Sequence, residues 1–96
     1  MQTLVYPEPM SGVPDHLRDG LIRYITNGTH PGHFLRAVLE HDLFESMARA
    51  DLDSRAGLFG LVCFIYNSAP AGCHGNRERV EAWMEAGGLT GIREAP

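Results

Sequence analysis

With 96 residues, of which 44% are hydrophobic and 21% charged, the chain has the composition of one globular domain and not of a disordered segment. Its formal net charge of −4 argues against sequence-independent DNA binding, which uses a dense positive face, and is too mild to mark a nucleic-acid mimic. A domain of this size hides about 60–65% of its unfolded surface, enough for a core without metal or disulfide but leaving little room for a deep catalytic cleft.

Residues 1–13 hold Pro7, Pro9 and Gly12 without a sustained period, so they are expected to form an extended N-terminal arm. Met1 to Pro7 has no basic stretch followed by an apolar one, and no run approaches the roughly 18 apolar residues of a membrane span. The chain is therefore expected in the cytoplasm, with Cys63 and Cys73 as free thiols.

Pro14 and Asp15 open the first helix, where a missing N–H and an acidic side chain both suit the N-terminus. Leu17, Leu21, Ile22, Tyr24 and Ile25 share one side, and Asn27-Gly28 ends it. Thr29 is the expected cap of the next helix, with Phe34, Leu35, Val38 and Leu39 buried and Arg36, Glu40 and His41 wet. Asp42 with Glu45 makes a capping box, so a third helix carries Leu43, Phe44, Met47 and Ala48. Asp51, Asp53 and Ser54 form a polar turn and a new cap before the most hydrophobic segment, Arg55 to Ser68. That segment is apolar nearly all round, which predicts a central helix covered by its neighbours; a strand over Leu61 to Tyr66 is the competing reading. Asn76 caps a last helix with Val80, Trp83 and Met84 inward, stopped by Gly87-Gly88, and residues 88–96 are expected to be a mobile tail. The pattern as a whole predicts an all-α, compact single-domain bundle of about five short helices over residues 14–87, with the core including Leu21, Phe34, Leu39, Leu61, Ile65 and Trp83.

Chemistry is less well marked. His30, His33, Cys73 and His74 are the right types for zinc, but the His-x2-His and adjacent Cys-His spacings fit structural zinc sites poorly, so no metal and no cofactor are expected. Cys73 precedes a helix N-terminus, where a thiolate would be stabilised, yet adjacency to His74 points the two side chains apart. Gly57-Leu58-Phe59-Gly60 has no lysine and lies within a helical pattern, which suits close helix–helix approach better than phosphate binding. Arg77-Glu78-Arg79 is the one basic knot, flanked by Glu81 and Glu85. The loop Ala71 to Gly75 is short and glycine-rich, so its tip is expected to be exposed beside that charged helix. His74, Arg77, Glu78 and Glu81 are accordingly the expected partner-binding residues, with His74 titrating near its ordinary pKa of about 6.5.

Several ordered motifs resemble those of a widespread set of small phage and prophage-encoded accessory proteins. They are Pro14-Asp15-His16-Leu17-Arg18-Asp19-Gly20-Leu21, Pro31-Gly32-His33-Phe34-Leu35-Arg36-Ala37-Val38-Leu39-Glu40-His41-Asp42-Leu43, Phe64-Ile65-Tyr66-Asn67 and Ala69-Pro70-Ala71-Gly72-Cys73-His74-Gly75. The resemblance spans roughly residues 14–84, and such proteins often place tryptophan where His74 stands. It implies a non-enzymatic accessory protein that binds a host or phage protein in the host cytoplasm, in the manner of an anti-CRISPR inhibitor of host defence, and it carries over no catalytic residue. The alternatives are a nucleic-acid- or nucleotide-binding phage regulator and a very small enzyme using Cys73 or a histidine.

Overall fold

Three helices in this chain start at a polar side chain that caps them, Asp42, Asp51 and Asn76. The computed structural model describes residues 12–94, so most of the expected N-terminal arm lies outside the described residues. Helix α1 (Asp15–Asn27) follows Pro14 and ends at Gly28, whose left-handed φ of 74° lets its N–H return to the Tyr24 carbonyl at 2.9 Å. Helix α2 (His33–Leu39) starts later than expected. Thr29 is not its cap: Gly32 holds that position, and His30 Nδ1 accepts the Gly32 N–H at 3.0 Å.

Helix α3 (Leu43–Arg49) is capped as the motif requires, Asp42 accepting the Glu45 N–H at 3.1 Å. Asp51 does the same for Ser54 at 2.7 Å and opens helix α4 (Leu52–Ala56). Helix α5 (Leu58–Ser68) carries Leu61, Phe64 and Ile65 into the core and resolves the strand alternative for that run as helix. The single helix expected over Arg55 to Ser68 is thus divided at Gly57, whose ψ of 6° leaves the helical region. A side chain at Gly57 would run into the Pro14 ring, and one at Gly60 into the Gly12 carbonyl. The glycines therefore admit the loop that leads into α1, where Val13 is sealed, and not a neighbouring helix.

A 3-10 turn at Ala71–Cys73 leads to helix α6 (Arg77–Ala86), capped by Asn76, which accepts the Arg79 N–H at 2.8 Å. Gly87, with φ 84°, closes it. Beyond that point the expected tail is instead helix α7 (Gly88–Glu94), which packs on α1. The two backbones meet so closely that a Cβ added at Gly28 would stand 2.9 Å from the Gly88 nitrogen. Among the described residues there are seven α-helices and no strand, because Gly57 splits one expected helix and residues 88–94 add another. None is long and apolar enough to cross a membrane.

Leu21, Tyr24, Ile25, Leu39, Leu61 and Val80 are sealed in one core that also holds Cys73 and Trp83, while Phe34 is half-buried at its edge. Two hydrogen bonds tie it together. The Trp83 indole N–H donates to the Tyr24 carbonyl at 3.0 Å, and the Tyr24 hydroxyl donates to the Cys73 carbonyl at 2.7 Å. Together they fasten α6 and the 3-10 turn to α1.

Candidate functional site

The core accounts for one side of α5 only. Phe59, Val62 and Tyr66, spaced at i, i+3 and i+7, form a stripe that faces out, with Phe59 82% and Tyr66 81% exposed. This corrects the expectation that α5 is covered all round. Among the described residues no second layer lies over it. The same happens on α3, where Ser46 is the buried residue while Leu43, Phe44 (85% exposed) and Met47 face out. Ser46 can lie inside because its hydroxyl donates to the Asp42 carbonyl at 2.6 Å.

Between these two apolar faces runs a cleft of about 260 Å³. Leu58, Val62 and Tyr66 of α5 line it opposite Leu43 of α3, and its most buried walls are Ser46, Ile65 and Val38. No acidic or basic side chain other than histidine is among the lining residues. A surface of this kind binds by excluding water from apolar groups.

The cleft's polar wall is a pair of histidines. His41 Nε2 and His74 Nδ1 stand 2.9 Å apart with ring centroids at 5.1 Å, so one ring donates and the other accepts. His41 reaches this place through an uncommon backbone: its φ is 63°, and it occupies the left-handed position after α2 that glycine usually takes. Its N–H returns to the Val38 carbonyl at 3.0 Å. His74 is held from both sides, by Cys73 bonded to Tyr24 and by the Gly75 N–H donating to the Leu39 carbonyl at 2.9 Å. Partial burial, then the neighbouring His41 and Arg79, hold the His74 imidazole below its ordinary value of 6.5 and favour its neutral form. The ordinary titration expected from sequence is therefore not what this position provides.

Of the residues expected to bind a partner, His74 lines the cleft, whereas Arg77, Glu78 and Glu81 do not. They lie on the exposed side of α6, where Glu81 accepts from Arg77 at 3.3 Å and from Arg36 at 3.0 Å, and Arg36 also pairs with Glu40 at 2.7 Å. Glu81 thus links α6 to α2. Glu78 is exposed beside this network. The loop Ala71 to Gly75 is less open than expected: Ala71 and Gly72 are exposed, but Cys73 is sealed in the core.

Burial pushes the Cys73 thiol up to about 12, so it is protonated at neutral pH and is a packing group, not a thiolate. His30 and His33 meet edge to face with ring centroids 5.8 Å apart, and no group of three or more metal-ligating side chains is assembled among the described residues. A further juxtaposition is His16 Nε2 at 3.2 Å from Ser54 Oγ, with Asp51 Oδ1 at 4.0 Å from the same nitrogen. A catalytic triad needs the carboxylate on the other ring nitrogen. Asp51 instead serves as the α4 cap.

Sequence reasoning missed the outward stripes and the role of His41. The signal was present in Leu58 to Tyr66: a helix apolar on all sides, in a chain this short, outnumbers the surfaces available to cover it. Compared with protein-family models, curated proteins and solved structures, the chain shows no match.

Proposed function

We propose that this chain is a non-enzymatic accessory protein of the phage type that acts by binding protein, with the α3–α5 face as its contact surface. The observation that carries this is the set of exposed apolar side chains on the two helices that line an uncharged cleft, Leu43, Phe44 and Met47 of α3 and Phe59, Val62 and Tyr66 of α5. Folded monomers rarely leave a large contiguous apolar patch in water unless it binds something. The sequence resemblance points to a host or phage protein as the kind of partner, a host defence component among them. Nucleic acid fits less well, because its backbone would meet an uncharged cleft on a chain of net charge −4.

A photo-cross-linking residue tests the reading in cells that produce the protein. It is placed at Phe59 on the apolar face, at Glu78 on the charged face of α6, or at Arg23 on α1. A protein adduct from position 59 and none from 23 is the expected result. An adduct from 78 alone would move the surface to His74, Arg77, Glu78 and Glu81, and no adduct from either face would refute a protein-binding role.

A further inference from the structure

Helix α3 carries an exposed aromatic ring next in sequence to a residue of the cleft wall. Phe44, 85% exposed, adjoins Leu43, which lines the cleft. A dry cavity of about 150 Å³ already accepts benzene, so a cleft of about 260 Å³ has room for a phenyl ring. A two-fold interface demands that one patch be complementary to itself, each copy offering the residue that the other receives. A patch built to receive a different protein has no such need.

The area is also of the right order. Aromatic side chains bury about 150–250 Å² each, so Phe44, Phe59 and Tyr66, all more than four-fifths exposed, present roughly 400–600 Å² together. Leu43, Met47 and Val62 extend this toward the about 800 Å² per partner of a standard interface. Charge does not oppose it. Copies of a chain with net charge −4 repel one another wherever acidic groups face, but this face has none at its centre, so like charges are not opposed across the axis.

We infer that the α3–α5 face is a homodimer interface, two copies meeting about a two-fold axis with Phe44 of each seated in the cleft of the other. This rests on the reading of that face as a protein-contact surface, and names a second copy of the chain as its occupant. Tyr66 and Val62 form the wall against which the incoming ring packs, and the His41–His74 pair closes the end of the cleft.

The test is the mass of the full chain in solution, measured by sedimentation at about 1–100 μM and neutral pH. Wild type is expected at two chains. Phe44→Glu and Val62→Glu are each expected to raise the dimer Kd about 30-fold or more, as loss of an interface hot spot does, while Arg23→Ser leaves it unchanged. Circular dichroism checks that each variant is folded. A second measurement does not depend on the glutamate variants folding: a benzophenone side chain at position 44 is expected to join the Val62–Tyr66 peptide of another copy. A monomer at 100 μM, a dimer that persists in both folded glutamate variants, or an adduct at 44 to any other peptide overturns the proposal. A monomer that cross-links from position 59 to a different protein overturns the dimer and leaves the protein-binding function standing. A monomer that cross-links to nothing overturns both.

Discussion

Replacing Tyr24 by phenylalanine removes one oxygen from the centre of the domain and should show how the cleft is held. Tyr24 is fully buried, and its hydroxyl donates to the Cys73 carbonyl at 2.7 Å. The phenyl ring keeps its packing, so the cavity contribution is small. The cost is the Cys73 carbonyl, left in apolar surroundings with its partner gone, about 1–3 kcal/mol. For a domain of this length each kcal/mol moves the melting temperature by about 4–8 °C, so a fall of roughly 5–20 °C is expected in a thermal melt followed by circular dichroism. Trp83 donates to the backbone carbonyl of residue 24, which the substitution retains, so its fluorescence should change little. The substitution also has an alkaline signature. Burial, then Cys73, raises the Tyr24 phenol well above its ordinary 10.0, so above about pH 10 the unfolded chain gives up a proton that the folded chain keeps. Stability is intact below that pH and declines above it in wild type, and Tyr24→Phe should flatten the decline. An unchanged melting temperature in the variant would refute the argument, since it would mean that the Cys73 carbonyl has another partner.

Residue 41 tests the strain at the rim. His41→Gly should be more stable than His41→Ala by about 1 kcal/mol in urea denaturation, because only glycine takes φ 63° without steric cost; equal stabilities would argue against the left-handed assignment. His74, held below 6.5 in the folded chain, binds its proton first in the unfolded one, so stability should fall as pH drops through about 6.5 toward the depressed value and level off below it. His74→Gln should remove that part of the acid sensitivity in melts between about pH 5 and about pH 7.5; an identical pH profile would refute the burial of the imidazole. Phe59→Ser should cost no more than about 0.5 kcal/mol of stability, the range for surface changes, against about 3–5 kcal/mol for loss of a buried phenylalanine. A large loss in urea denaturation would show that residue 59 belongs to the core.

Sequence alone was enough for the all-helical class and for the signals that are local. Asp42, Asp51 and Asn76 cap their helices because a short polar side chain reaches a backbone N–H three residues on, whatever the rest of the chain does. Gly28 and Gly87 end theirs for an equally local reason, their left-handed φ. Leu21, Leu39, Leu61 and Ile65 were legible as core from their spacing. Periodicity says which residues share a side but not whether another element arrives to cover it. Tertiary structure made that decision for α5, burying Leu61, Phe64 and Ile65 and leaving Phe59, Val62 and Tyr66 in water. It also divided the helix at Gly57, where the Pro14 ring comes to rest, and set α7 against α1. The candidate site depends on these non-local choices. His41 and His74 lie 33 positions apart, and no rule of spacing brings them within 2.9 Å. They meet because the left-handed turn after α2 and the 3-10 turn anchored on Tyr24 are packed against the same core.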